Sequence, residues 1–448
     1  MKWIALLIFF AAVPLLMARL RSHPAQAPTI WAMMGFLPFV LDSWHLRVGP
    51  ISWLMWPGYV KGMEVSLLDS FALAVILSYP NVRVKSPILL VLPLYILTVA
   101  LTMTYSGAPE ATFFYAWQLA RVMLVFVAVA KICQDERGPA ALILGMILGL
   151  CLQAGYAIEQ RLTGVTQSSG TFGHQNLLGM ISHFVTFPAL ALLLVDGKKR
   201  APLFGVLAAA IVVILGASRA TLGLAGAGFV LLLLLSISRK PTSRKSLIVG
   251  MGLVGLILAT PLAFSSLQKR FDVAPLSTDY DERAAFERAA RMVIADHPMG
   301  VGANQYVVVT NTQGYSDRAG VIWNAGSRSA NVHNTYLLVW AETGMLGLAA
   351  FIALLMTPLM TAFRVAWRNR KDPRGDLMLG LGVSLAVVSV HCLYEWVFVD
   401  YAVEVLFAID AAMITGLARQ ISLGQSRKRK LLRSPDSSVG MVEATETA

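Results

Sequence analysis

Residues 265–334 read SSLQKRFDVAPLSTDYDERAAFERAARMVIADHPMGVGANQYVVVTNTQGYSDRAGVIWNAGSRSANVHN, one long polar interruption in a chain otherwise made of apolar runs. After about ten apolar segments the chain leaves the hydrophobic register at Ser265, runs polar and charged to Asn331, and re-enters it through His333-Asn334-Thr335-Tyr336-Leu337-Leu338. A multi-span chain that keeps a single large loop on one side, with arginines inside it and a histidine at its exit, places chemistry at that membrane face.

Composition sets the class. The chain is 56% hydrophobic and 14% charged over 448 residues, with mean hydropathy +0.65, whereas about a quarter of residues are charged in soluble domains. Apolar runs able to cross a core of about 30 Å recur at 3–20, 28–41, 65–79, 87–105, 112–132, 140–158, 177–195, 202–216, 222–237, 247–264, 335–363, 377–398 and 403–417. The expected fold is an all-α polytopic membrane protein of twelve to thirteen transmembrane helices, with one large loop (265–333) carrying a short amphipathic helix. The count turns on the short segments 28–41 and 202–216.

Short loops rich in Lys and Arg stay on the cytoplasmic side. Lys198-Lys199-Arg200, Arg239-Lys240 with Arg244-Lys245, residues 364–374 and Arg427-Lys428-Arg429-Lys430 alternate consistently with that rule. The same alternation sends residues 170–174, Ser218-Arg219 and the loop 265–333 to the opposite, outer face. Those cytoplasmic loops absorb the net charge of +12, so no nucleic-acid partner is expected. Cys133, Cys151 and Cys392 lie in or beside apolar segments, which supports neither a disulfide framework nor a cysteine metal site. Arg19 and Arg21 directly follow the first apolar run, which therefore reads as a retained span. Residues 1–424 form one membrane domain, and the polar tail 425–448 is expected to be disordered in the cytoplasm. Residues 42–63, with Trp44, Trp53, Trp56, Pro50, Pro57 and Gly58, suit an interfacial re-entrant element.

Within the loop, Asp279 with Glu282 three residues on reads as a helix start. Phe286, Ala289, Ala290, Val293 and Ile294 form its apolar stripe, and Pro298 follows its end. Gly300-Val301-Gly302 reads as a tight turn and residues 305–310 as a strand. Arg219, in the outer turn Gly216-Ala217-Ser218-Arg219-Ala220-Thr221, either snorkels into headgroups or grips a phosphate with its planar fork. Arg283, Arg288 and Arg291 form either a solvated face or, at headgroup depth, a set of cations for lipid pyrophosphate. His333, with Asn334 beside it, is either a satisfied structural residue or a general base. His174 shares the outer face, while His183, His297 and His391 compete less well. Asp272, Asp279, Asp281 and Glu282 form no Asp-x-Asp pair, so neither a metal nor a cofactor is expected. Glu395, Asp400, Glu404 and Asp410 in the last spans read as carboxylates that satisfy buried partners, with catalysis the less favoured role.

At these residues the chain resembles the O-antigen ligase and O-antigen polymerase superfamily of bacterial envelope glycosyltransferases. The resemblance is carried by Gly170-Thr171-Phe172-Gly173-His174-Gln175-Asn176-Leu177-Leu178-Gly179, by Ser218-Arg219-Ala220-Thr221-Leu222-Gly223, by the loop helix from Arg283 to His297-Pro298-Met299-Gly300-Val301-Gly302, and by His333-Asn334-Thr335-Tyr336-Leu337 through Glu342-Thr343-Gly344-Met345-Leu346-Gly347. It covers about residues 150–360, the N-terminal third matching only by hydropathy. The resemblance implies metal-independent, inverting transfer of a glycan from undecaprenyl pyrophosphate to an acceptor hydroxyl at the periplasmic face of the bacterial inner membrane. The acceptor it implies is another glycan, a lipid A core or a protein hydroxyl. By motif, Arg219, Arg283 and His333 are the catalytic candidates, and Arg288, Arg291, His174, Asn176 and Asn334 the substrate-binding ones. A multi-span membrane transporter is the alternative, with Arg121 and Asp69 as an intramembrane path.

Overall fold

The computed structural model describes residues 2–195, 200–273 and 281–431. Asp279, Lys198 and Lys199, singled out above, lie outside them. The first half comprises α1 (Lys2–Ser22), α2 (Ala27–Phe36), β1 (Arg47–Ser52), β2 (Gly62–Ser66), α3 (Leu67–Ser78), α4 (Ile88–Leu101), α5 (Pro109–Ile132), α6 (Gly138–Leu162) and α7 (Gln175–Val195). The second comprises α8 (Ala201–Gly216), α9 (Arg219–Arg239), α10 (Ser243–Val273), α11 (Glu282–Asp296), α12 (Tyr306–Thr312), α13 (Tyr315–Arg318), α14 (Ala325–Arg328), α15 (Thr335–Arg368), α16 (Arg374–His391) and α17 (Tyr401–Leu431).

Each apolar run falls on its own helix. Among the described residues eight helices are long and apolar enough to cross a membrane: α1, α5, α6, α7, α9, α15, α16 and α17. Three shorter apolar helices, α3, α4 and α8, accompany them. Residues 28–41 make only a ten-residue α2 and a 3₁₀ turn. By helical rise α2 is about 15 Å long, half of what a span requires.

α7, α16 and α17 are buried on nearly every face and form the centre, whereas α1 and α9 show Trp3, Leu7, Leu15, Val230 and Leu234 outward. Outward apolar side chains fit a chain whose solvent is lipid, where small residues rather than hydrophobicity bring helices together. Gly380 on α16 shows this: an added Cβ would lie 2.7 Å from the Phe187 carbonyl oxygen of α7.

Buried charges are paired at both ends of this centre. Arg239 Nη1 and Lys245 Nζ reach the two oxygens of Asp376 at 2.7 and 2.9 Å. Arg121 Nε meets Asp69 at 2.9 Å, donates from Nη2 to Ser66 Oγ at 3.1 Å and lies over the Tyr401 ring, whose hydroxyl donates to Asp69. The pair that suggested a transport path is thus satisfied within the protein.

Three local expectations are corrected. In place of a re-entrant element over 42–63, residues 47–66 form an antiparallel hairpin, β1 on β2, with Arg47 opposite Ser66, Ser52 opposite Gly62 and an irregularity between Val48 and Ile51, where Pro50 cannot donate to the ladder. α10 stays helical to Val273, past the exit expected at Phe264. α17 is helical through Leu431, and residues 432–448 of the expected tail lie outside those described. Residues 306–312 are helix rather than strand. Val307-Val308-Val309-Thr310 favours an extended chain locally, but Glu342 Oε1 accepts the backbone N–H groups of Gln305 and Tyr306 at 3.0 Å each and so caps a helix there.

That cap belongs to a lock between the loop and α15. Val301 N–H and Gly302 N–H donate to the carbonyls of Ala341 and Glu342, Tyr59 O–H donates to Glu342 Oε2 at 2.6 Å, and Asn304 Nδ2 donates to the carbonyls of Val60 and Ala111. Gly300 adopts φ 87°, and a Cβ there would stand 2.4 Å from the Glu342 carbonyl oxygen. Gly300→Ala is therefore expected to lower the melting temperature and the yield of monodisperse protein, left-handed strain alone costing about 1–3 kcal/mol before the clash is added. Size-exclusion profiles of a fluorescent fusion measure this, and an unchanged profile with unchanged melting would discard the lock.

Candidate active site

Four elements converge on one carboxylate. Glu395 lies in the turn after α16, and Thr335, the first residue of α15, ties that turn down: its N–H donates to the carbonyls of Cys392 and Glu395, and its Oγ1 to the Glu395 carbonyl at 2.6 Å. Asn334 Oδ1 accepts the Leu337 N–H and caps α15. The chain therefore enters the helix with His333 directly beside Glu395, and His333 Nδ1 lies 3.0 Å from Glu395 Oε2.

The other carboxylate oxygen takes two donors. Arg283 Nη2, from the first turn of α11, reaches Oε1 at 2.9 Å, and Asn176 Nδ2, from the first turn of α7, reaches it at 2.5 Å. α11 is held in place because its Asp281 N-cap accepts the Ala284 N–H and, of its predicted stripe, Phe286, Ala289, Ala290 and Val293 are buried and Ile294 partly so. Phe286 in turn stacks on His333, with ring centroids 5.9 Å apart and planes 29° from parallel.

The Glu395 side chain is 1% exposed, against 49% for Arg283 and 21% for His333. Burial alone would raise the Glu395 carboxyl, but the hydrogen bond and charge of His333, with Arg283 and His391, hold it below the ordinary carboxylate range. His174, two residues before Asn176, has its pKa pushed down by burial, Glu395 pulling it up while His333 and Arg283 push it further down. The site thus presents an ionised carboxylate beside a half-exposed guanidinium.

The other candidates are spread around this centre. Arg219 is exposed at the first position of α9. Its hairpin tip packs on the same end of the bundle: Ser168 N–H donates to the Leu215 carbonyl, and Thr221 Oγ1 occupies the space a Cβ on Gly179 of α7 would need. Arg288 donates to the Ala319 carbonyl through Nε and Nη2 and thereby holds the loop rather than facing Glu395. Arg291 pairs with Glu287 on the exposed side at 3.5 Å, about 12 Å along α11 from Arg283 by helical rise. Asn334 spends its side-chain oxygen on the helix cap. His297 contacts Gln313, and His183 and His391 face each other inside the bundle at 5.3 Å between ring centroids.

Glu395 was not foreseen as the hub. Its signal was a lone carboxylate in Leu393-Tyr394-Glu395-Trp396-Val397-Phe398, on the loop side of the last two spans. Its partners lie 62, 112 and 219 residues away in sequence, a convergence no local pattern discloses.

With this geometry in view, comparison with known proteins is informative. Residues 204–352 match the family model described as O-antigen ligase. The match contains Arg219, Arg283 and His333 and stops short of Asn176 on one side and Glu395 on the other. The chain is also 23% identical over 356 residues, 75% of its own length and 77% of the relative's, to the exopolysaccharide production protein ExoQ of Rhizobium meliloti (strain 1021). The two findings support the O-antigen ligase and polymerase superfamily that the motifs resemble, and with it a role in envelope glycan synthesis.

Proposed function

We propose that the protein transfers a glycan from an undecaprenyl pyrophosphate-linked donor to an acceptor hydroxyl, with inversion at the anomeric carbon, at the periplasmic face of the bacterial inner membrane. The observation that carries this reading is the Glu395 cluster, in which a carboxylate, an imidazole and a guanidinium from three distant segments meet. An ionised carboxylate only accepts hydrogen bonds, so His333 Nδ1 holds the proton between them, and in its neutral form the ring carries its lone pair on Nε2. His333 can then take the proton of the acceptor hydroxyl as that oxygen bonds to the anomeric carbon, and Glu395 stabilises the imidazolium that results. The bond from the anomeric carbon to the diphosphate oxygen breaks on the opposite face, and its electron pair leaves with the diphosphate. Arg283, whose half-exposed guanidinium has donors beyond the one on Glu395, and Arg219 supply positive charge where that negative charge grows.

The acceptor, whether a glycan, a lipid A core or a protein hydroxyl, follows from the fate of the glycans when the gene is deleted. Single repeats still attached indicate a polymerase; lipid-linked chains accumulating unattached indicate a ligase. The direct test is the purified chain in liposomes with lipid-linked donor and acceptor, where transfer without added metal is expected. Arg219→Ala is expected to lower the transfer rate about 10²–10³-fold, the usual cost of one electrostatic donor, while insertion is unchanged. No transfer by the native chain to any of the three acceptor classes would refute the proposal.

A further inference from the structure

The loop carries a second feature that the transfer chemistry does not use. Trp323 is 81% exposed, against 70% for Met299 and 48% for Ile322 among the large apolar side chains of the described loop residues. It is nevertheless built into a fixed turn. Arg328 lies over its ring, with Cζ 4.5 Å from the centroid, and is itself pinned: Nη2 donates to Asp317 Oδ1 at 2.6 Å and to the Val321 carbonyl at 2.8 Å. The Arg328 side chain is only 9% exposed. A held guanidinium therefore lies against one indole face, and the rest of the ring stays open.

The same turn is bolted to the catalytic cluster. Asn324 Oδ1 accepts the Ser327 N–H, its Nδ2 donates to Ser327 Oγ, and Ser327 Oγ donates to Glu282 Oε1. Glu282 immediately precedes Arg283, which grips Glu395. The indole thus has a set position relative to the reacting centre.

We propose that Trp323 is a saccharide subsite, its open face stacking against the C–H face of a sugar ring in the glycan substrate some way from the reacting sugar. A pyranose presents a patch of polarised C–H groups on one side and hydroxyls around its rim. An aromatic face receives the first, and the neighbouring Asn324 and Asp317, the latter holding the guanidinium on the ring, offer hydrogen-bond partners to the second. The Asp317 side chain is 60% exposed, and Arg328 lies on the ring. Such charged neighbours favour a hydrated sugar over acyl chains as the occupant, although Trp also suits membrane interfaces. The proposal rests on the glycan-transfer reading for its ligand class.

The test uses the full chain in nanodiscs, probed with short oligosaccharides released from the host's own envelope polysaccharide. Binding is followed by saturation-transfer NMR without donor lipid, so the readout does not depend on turnover. Trp323→Ala is expected to weaken binding about tenfold, the scale of one aromatic stacking contact, and Trp323→Phe to retain most of it. Brominated lipids are expected to quench the native chain and Trp323→Phe equally. Oligosaccharide binding indifferent to both substitutions, or quenching that disappears with the indole, would overturn the subsite in favour of a membrane anchor. Trp323-dependent binding in a chain that fails to transfer leaves the subsite standing and removes the transferase reading alone.

Discussion

Glu395→Gln is expected to reduce glycan transfer about 10²–10⁴-fold while the protein still inserts and folds. The substitution keeps the shape of the side chain and removes two things. The charge that stabilises a protonated His333 is lost. The amide also has a donor face, which can present N–H to Nδ1 and leave the proton on Nε2, where the imidazole no longer accepts from an alcohol. His333→Ala removes the base itself and is expected to fall at least as far. Folding tolerates the exchange because Arg283, at 49% exposure, regains water when its partner is neutralised. The carboxyl of Glu395 lies below its ordinary value of 4.5 when folded. Its contribution to stability is therefore complete above that ordinary value and is lost as pH falls through the lower folded one, an acid-side slope that the glutamine variant should lack. Single-turnover transfer in liposomes decides the matter: a Glu395→Gln rate within about threefold of the native chain would leave Glu395 with no part in orienting the base.

Asp376→Ala is expected to cost the protein its fold. Asp376 accepts from Arg239 Nη1, Lys245 Nζ and Ser236 Oγ, and the three charged side chains are no more than 5% exposed. Deleting the one anion leaves two buried cations with a net charge in a low-dielectric interior. Breaking such a pair costs about 3–5 kcal/mol, a large part of the roughly 5–15 kcal/mol that holds a typical protein together. Arg239 also donates to the carbonyls of Ala366 and Asn369, so the turn joining α15 to α16 loses its anchor as well. Asp376→Asn keeps the shape and one of the two accepting oxygens without the charge and should fall between. Native yield and melting temperature for the alanine variant, measured on a fluorescent fusion in mild detergent, would show that this cluster is not structural.

How far the sequence discloses the molecule depends on whether a signal is local. The apolar runs are local, and each became a helix. So is the stripe of Phe286, Ala289, Ala290 and Val293, which repeats at helical spacing and is buried in α11. Length was the limit on counting spans: residues 28–41 are apolar enough for a membrane, yet their helix stops at Phe36. Residues 305–310 failed for a different reason, since the side chain that turns them into helix, Glu342, arrives from a helix further along the chain. Arg283 and His333 were legible because arginines in an outer loop and a histidine at its exit are unusual company for lipid. Glu395 was not, because a carboxylate near the end of an apolar run looks the same whether it fills a polar vacancy or gathers three partners.

α16 has Asp376 clamped at its beginning, Gly380 pressed onto the backbone of α7, and beyond its end the turn that Thr335 ties to α15. A rod secured at both extremities and along its flank has no travel to give. The carboxylate at its tip is thus a stationary reference, and the imidazole bonded to it inherits that stillness. Under the proposed transfer, a rearrangement that admits a bulky substrate would fall to α11 and its arginine, leaving His333 where the bilayer-spanning frame has put it.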